Sequence, residues 1–207
     1  MAAFAVLLCV LGMVGCTQGE SLPSEPQSPT QGNFSIERWM GKWYGVAMAW
    51  TCPFWKRTRG DTAVPTVSLN WTSNDTFNCT STQPRAGVCK QYSYEYQLTQ
   101  TPGRFHYYYP EWDADVDVYV LATDYDHYAL LLRLEHKRNS DKRGASVTLY
   151  GRSPEVQPSA LEQFTSAAAD QGLDEESTGY MKNTGECFME EEPEPASASV
   201  ASPAAQV

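Results

Sequence analysis

Between residues 42 and 151 apolar side chains recur at every second position, run after run. A side chain that alternates sides with period two belongs to a strand with one buried face. Lys42 to Trp50 reads as the first strand. Val67, Leu69 and Trp71 alternate with Ser68 and Asn70 in the second, and Phe77 and Cys79 mark the third. Val88, Tyr92, Tyr94, Tyr96 and Leu98 share one face of the fourth, interrupted by Lys90. After a Pro102-Gly103 turn, Phe105, Tyr107 and Tyr109 mark the fifth, and Val116, Val118 and Val120 alternate with Asp115 and Asp117 in the sixth. His127–Leu134 and Ala145–Gly151 make the seventh and eighth, joined by a charged loop over 135–144. Eight short strands with tight connections predict a barrel or a sandwich.

One helix follows the strands. Ser159 is its predicted N-cap with Gln163 near the capping-box position. Leu161, Phe164 and Ala168 share a face at helical spacing, and Gly172 supplies the stop.

The chain of 207 residues has room for one domain with tails. Residues 4–16 form an uncharged apolar run, too short to span a bilayer and placed as a secretory signal is. The expected organisation is a signal peptide over 1–19, a disordered Ser/Pro/Gln/Gly leader over 20–32, a barrel domain over 33–188 and a disordered acidic tail over 189–207. Four sequons, at Asn33, Asn70, Asn74 and Asn78, agree with secretion and are candidate glycan acceptors. A glycan on Asn70 or Asn78 has to face solvent, which turns Leu69, Trp71, Phe77 and Cys79 inward. The net charge of −10 argues against nucleic acid or an anionic membrane surface as a partner.

Gly41-Lys42-Trp43, Thr123-Asp124-Tyr125 and Leu149-Tyr150-Gly151-Arg152, in this order and at these separations, resemble the three short motifs of the lipocalins. The resemblance spans roughly Asn33 to Glu190 and is strongest to the alpha-1-microglobulin branch, through Asn33-Phe34-Ser35-Ile36, Thr51-Cys52-Pro53, Gly87-Val88-Cys89, Tyr125-Asp126-His127-Tyr128-Ala129 and Gly185-Glu186-Cys187. It implies an all-β fold with one C-terminal α-helix: an eight-stranded antiparallel up-and-down β-barrel whose interior holds one small ligand. It also implies that Trp43 crosses the closed end with Arg152 packed on it, both in structural roles. Trp71, Phe77, Tyr92, Tyr94, Tyr107 and Tyr109 are the candidate cavity wall for small hydrophobic ligands.

Of six cysteines, Cys9 and Cys16 leave with the signal peptide, and Cys52, Cys79, Cys89 and Cys187 allow three pairings. The resemblance implies a Cys89–Cys187 disulfide and places Cys52 at the open mouth as a reactive thiol used for reduction, radical trapping and haem contact. Lys56, Arg57 and Arg59 flank Cys52, and nearby cations favour the thiolate. The alternative is a second disulfide, Cys52–Cys79, which removes that thiol. The mouth lysines of the branch fall at Tyr109, near Glu135 and at Thr148, none of them lysine.

The function these features imply is a secreted, monomeric carrier of small apolar ligands with a scavenging rim thiol. Haem is one such ligand, with Tyr107, Tyr108 and Tyr109 as phenolate donors to ferric iron or, more simply, as aromatic wall. Two other functions compete. One is an isomerase like the prostaglandin D synthases of the same family, whose catalytic cysteine falls here near Thr66, with Cys79 a displaced substitute. The other is a covalent plasma-protein partner held through Cys52. No hydrolase triad, phosphate loop or metal motif occurs, and His106, His127 and His136 are scattered, so no cofactor is required and no metal site is expected.

Overall fold

The computed structural model describes residues 30–51, 63–85 and 88–187. The expected signal peptide, most of the expected leader, Cys52 and the acidic tail lie outside the described residues. Eight antiparallel strands run in sequence order: β1 (Gly41–Trp50), β2 (Thr66–Trp71), β3 (Thr76–Arg85), β4 (Val88–Leu98), β5 (Arg104–Tyr109), β6 (Ala114–Thr123), β7 (Tyr128–Lys137) and β8 (Arg143–Gly151). Each pairs with the next, β8 pairs with β1, and β1 pairs with β2, so the sheet closes on itself as the expected up-and-down barrel. A short strand β9 (Thr178–Tyr180) adds to β1.

Strand β1 serves three partners because it changes neighbours halfway. Gly41–Tyr44 pair with β2, and Ala47–Ala49 pair with β9 on the same side. The switch falls at a register irregularity between Gly45 and Ala47. There the Gly45 amide donates to the Pro65 carbonyl at 2.9 Å, and a Cβ on Gly45 would lie 2.7 Å from the Pro65 ring. Only glycine lets the chains approach this closely.

Two apolar layers result. The lumen is filled by Trp43, Phe77, Tyr96, Phe105, Tyr107 and the Val116/Val118/Val120 row, all buried. The outer faces of β1, β7 and β8 carry Ala47, Ala49, Leu130, Leu132, Val147 and Leu149, and pack on Ala160, Phe164 and Ala168 of helix α2 (Pro158–Asp170). The helix begins two residues earlier than predicted. Gln157, not Ser159, is its N-cap and Pro158 opens the first turn, where proline's missing N–H costs nothing. Gln163 accepts instead from the Tyr128 hydroxyl at 3.0 Å. The helix stops before Gly172, with the Leu173 amide on the Ala168 carbonyl at 2.9 Å.

Three further differences from the sequence reading are local. The loop 135–144 is shorter than its charge suggests, because β7 runs to Lys137 and β8 starts at Arg143. The Lys137 amide pairs with the Lys142 carbonyl across the hairpin at 3.1 Å. A four-residue helix α1 (Ile36–Trp39), capped by Ser35, precedes the barrel and is too short to leave a periodicity in sequence. The ordered chain also reaches back past Asn33: the Thr30 hydroxyl bonds the Pro102 carbonyl at 2.7 Å, and the Gln31 amide bonds the Val120 carbonyl at 3.0 Å.

Candidate functional site: the barrel interior and its two ends

The closed end is built around Arg152. Its guanidinium carbon stands 3.6 Å from the Trp43 ring. Its nitrogens donate to the carbonyls of Tyr125 (2.9 Å), Lys42 (2.8 Å) and Arg38 (2.9 Å), tying three separate segments together. Gly41 lies beside it with a φ of +94°, a conformation that other residues rarely adopt. The Trp43 indole donates to the Trp39 carbonyl at 2.8 Å, and Trp39 stacks on Phe105 at 5.1 Å. In the Thr123-Asp124-Tyr125 motif, Asp124 accepts from the His127 and Tyr128 amides at 2.8 and 3.0 Å. The Tyr125 hydroxyl accepts from the Ser35 amide at 2.9 Å. These bonds seal the bottom of the cup.

Above this floor lies a cavity of about 40 Å³ between Trp43, Leu69, Cys79, Tyr96, Leu131, Arg133 and Tyr150. That is the room of one water molecule or one small polar group, well under the several hundred Å³ of an ordinary ligand pocket. Aromatic rings take the rest. Tyr96 stacks on Tyr107 at 4.4 Å, Tyr107 touches Tyr94 at 5.4 Å, Tyr94 touches Tyr109 at 5.3 Å, Tyr109 stacks on Trp112 at 6.0 Å, and Trp112 stacks on Trp50 at 5.2 Å. A ladder of rings therefore climbs from the cavity to the mouth. A ligand of more than a few atoms has to displace these rings.

The predicted wall residues divide accordingly. Tyr94, Tyr107 and Tyr109 belong to the ladder. Phe77 is fully buried against Trp39, Tyr96 and Phe105 and packs in the floor, not around an open space. Tyr92 is half-buried nearer the mouth, opposite Ser81. Trp71 is a correction. It lies on the inward side of β2, but it is the last residue of the strand, below the closed end, and is 43% exposed. Asn33, Asn70 and Asn74 are exposed and Asn78 is half-buried.

Tyr96, Leu131, Arg133 and Tyr150 line the cavity without having been singled out. Arg133 had a sequence signal: it stands in phase with Ala129 and Leu131 in β7, so the alternation that buries them turns a cation into the barrel. One guanidinium nitrogen, Nη2, makes a short bond to the Tyr107 hydroxyl and lies 3.3 Å from Glu135. Burial opposes the charge on Arg133, but Tyr107 and Glu135 more than offset it and raise its pKa above the ordinary value.

Among the described residues Cys79 is a free thiol, and Cys52, its alternative partner, lies outside them. Cys89 and Cys187 are bonded, with their Cα atoms 5.7 Å apart. Burial pushes the Cys79 thiol up to about 11 and the Tyr107 phenol up to about 12, and it raises Tyr96 and Tyr150 as well. At neutral pH the interior therefore holds protonated sulfur and protonated phenols. That is a poor setting for thiolate catalysis. A space of about 40 Å³ has no room for a porphyrin, so the interior does not fit haem.

The same shifts make alkaline pH destabilising. Deprotonation is easier in the unfolded chain than in the fold, so the stability due to these groups is complete below their unfolded values and is lost as pH rises towards the folded ones. For Cys79 that window runs from about 9 to about 11 and is worth on the order of 2–3 kcal/mol. The urea midpoint is expected to fall steadily above pH 9, and Cys79→Ala to fall less steeply. Parallel curves for the two proteins would contradict the assignment to this thiol.

Comparison with known proteins fits this architecture. The profile of the Lipocalin / cytosolic fatty-acid binding protein family matches residues 40–185. Protein AMBP of Pleuronectes platessa is 37% identical over 191 residues, 92% of this chain and 54% of that protein, and Protein AMBP of Bos taurus is 35% identical over 201 residues, 94% of this chain and 56% of that one. The chain thus spans about half the length of these curated relatives. Prostaglandin-H2 D-isomerase of Equus caballus is 29% identical over 187 residues, 88% of this chain and 94% of that protein. Among solved structures, the siderocalin Ex-FABP, described as functioning through dual ligand specificities, superposes with a TM-score of 0.62 at 24% identity, covering 72% of this chain and 96% of that one, a likeness of fold. Among the described residues no helix is long and apolar enough to cross a membrane, and the Cys89–Cys187 bond fits an extracellular protein. With its closed barrel, its Trp43–Arg152 floor and the family match over 40–185, this chain belongs to the lipocalins, a family of barrels that bind small hydrophobic ligands.

Proposed function

We propose that this chain is a secreted, monomeric carrier of small apolar molecules that enter the barrel past the ring ladder, with Cys52 as a reactive thiol at the rim. The observation that carries the carrier half is the sealed cup itself: a cavity between Leu69, Leu131 and Tyr96 above a floor closed by Trp43 and Arg152. The thiol half is supported by cysteine arithmetic. Cys89 and Cys187 are joined and Cys79 is free among the described residues, which in this reading leaves Cys52 with no partner in the chain beyond Cys9 and Cys16 of the expected signal region. Lys56, Arg57 and Arg59 beside it favour the thiolate, the form that reduces and traps oxidants. Haem contact in this reading belongs to the rim and not to the lumen. The isomerase alternative has Cys79 beside the cavity in its favour and the raised pKa of that thiol against it.

Two measurements test the two halves. Decanol displacing a fluorescent apolar probe is expected to bind saturably, and Leu131→Trp, which fills the cavity, to weaken it at least tenfold. Absence of saturable binding overturns the carrier reading. Titration of the unreduced secreted protein with a thiol reagent is expected to find Cys52 reacting within minutes in the native state and Cys79 joining it only after denaturation. A native protein with no accessible thiol overturns the scavenging half and favours a covalent partner at Cys52.

A further inference from the structure

Among the described residues four large aromatic side chains stand open to solvent: Trp71, Tyr108, Trp112 and Tyr180. Three are braced. Trp112 is stacked on both Tyr109 and Trp50, Tyr108 lies under the Arg138 guanidinium at 4.1 Å, and Tyr180 meets Phe164 at 6.5 Å. Trp71 meets the ring of Phe77 edge-on at 6.2 Å and otherwise keeps its surface bare. Three residues beyond it stands Asn74, the asparagine of an Asn74-Asp75-Thr76 sequon, exposed in the loop between the end of β2 at Trp71 and the start of β3 at Thr76. The rest of that loop is tied down. Thr72 and Ser73 each share a hydroxyl contact of 2.8 Å with Thr76, Ser73 donates to Asp75 at 2.8 Å, and the Asp75 carbonyl accepts from the Leu98 amide at 2.8 Å. Asn74 stands outside this network. The other two sequons of the hairpin are crowded by comparison: Asn70 and Asn78 are directly paired across β2 and β3, about 5 Å apart on one face, and Glu95 opposes Asn78 on its other side.

We propose that Asn74 carries an N-linked glycan whose first N-acetylglucosamine lies on the Trp71 ring. This rests on the secretion reading, since such a sequon is modified only in a secreted chain. The Asn74 amide nitrogen takes the anomeric carbon of the sugar from a diphosphate-linked lipid donor. It gives up one proton, the lipid diphosphate leaves, and nothing is oxidised or reduced. Three residues of chain hold Trp71 and Asn74 within about 11 Å of each other, a gap that the amide linkage and one sugar ring can span. A pyranose presents a face of weakly positive C–H groups, and the indole presents the negative face of its π-system, so the two attract where they stack. The hydroxyl network fixes the loop in advance, and little backbone freedom is lost when the sugar settles. The linkage forms on the nascent chain, whereas the stack exists only in the closed hairpin. The sugar therefore stabilises the fold and not the unfolded chain, and it covers an apolar ring beside the barrel floor.

Glycopeptide mass spectrometry of the full secreted protein is expected to find sugar on Asn74 in most molecules. In urea, Asn74→Gln is expected to raise the unfolding equilibrium constant about fivefold, and less than about twofold when Trp71 is already replaced by leucine. Trimming a high-mannose form with an endoglycosidase to its first N-acetylglucosamine is expected to leave the urea midpoint unchanged, because that sugar alone touches the ring. Equal losses from Asn74→Gln in the two backgrounds mean that the sugar acts without the ring, and overturn the inference. A bare Asn74 beside an occupied Asn33, Asn70 or Asn78 overturns it too, and leaves the secretion reading standing. Four bare sequons remove the secretion reading and the inference together. Should Trp71→Leu fail to fold, proton resonances of the first sugar in the native protein decide: against an indole face they move upfield of their positions in the free sugar, and unmoved resonances overturn the contact.

Discussion

Arg152→Ala is expected to lower the unfolding free energy by about 3 kcal/mol. Three charge-assisted bonds and the contact with the Trp43 ring disappear at once. Each bond to a charged donor contributes about 1.5–3 kcal/mol and the ring contact about 0.5–2. The sum is discounted because burial makes the free cation costlier, which is why the Arg152 pKa is lowered, and because the Lys42 and Arg38 carbonyls can turn to water. Arg152→Lys restores charge but not the planar fork that reaches three carbonyls, and is expected to recover less than half. Urea unfolding followed by tryptophan emission reads both. A loss under about 1 kcal/mol for alanine would mean that Trp39 and Phe105 alone hold the floor.

The sequence made the barrel legible because period two repeats eight times with turn residues between, and because Leu161, Phe164 and Ala168 mark one helix face. It made the floor legible through Trp43 and Arg152, whose separation only the family resemblance could interpret. What it could not supply is distance. Trp71 has the right parity to face inward, but parity does not say that the barrel has already ended at that residue. Phe77 and Tyr107 have the right face too, but alternation does not tell a ring that lines a space from one that fills it. Charge misled once: Lys142 and Arg143 read as loop, although β8 begins within that run.

Removing the cross-link with Cys89→Ser and Cys187→Ser together is expected to cost about 4 kcal/mol of stability. The bond joins residues 98 apart, and on the chain-entropy account a loop of that length constrains the unfolded chain by about 4–5 kcal/mol. Replacing both cysteines avoids a stray thiol that could pair with Cys52 or Cys79. The C-terminal segment has other attachments: the Glu186 carboxylate meets Lys42 at 2.7 Å and the Tyr44 hydroxyl at 2.5 Å, and the Val64 amide bonds the Lys182 carbonyl at 3.1 Å. The first two are solvent-facing and contribute little. The segment beyond β9 therefore frays locally in the variant before the barrel opens, and limited proteolysis is expected to cut within residues 181–187 while residues 41–151 stay protected. The native protein under reducing agent is expected to behave as the variant does in urea. A variant with an unchanged urea midpoint would show that β9 and the Glu186 clamp hold this segment without the sulfur bond.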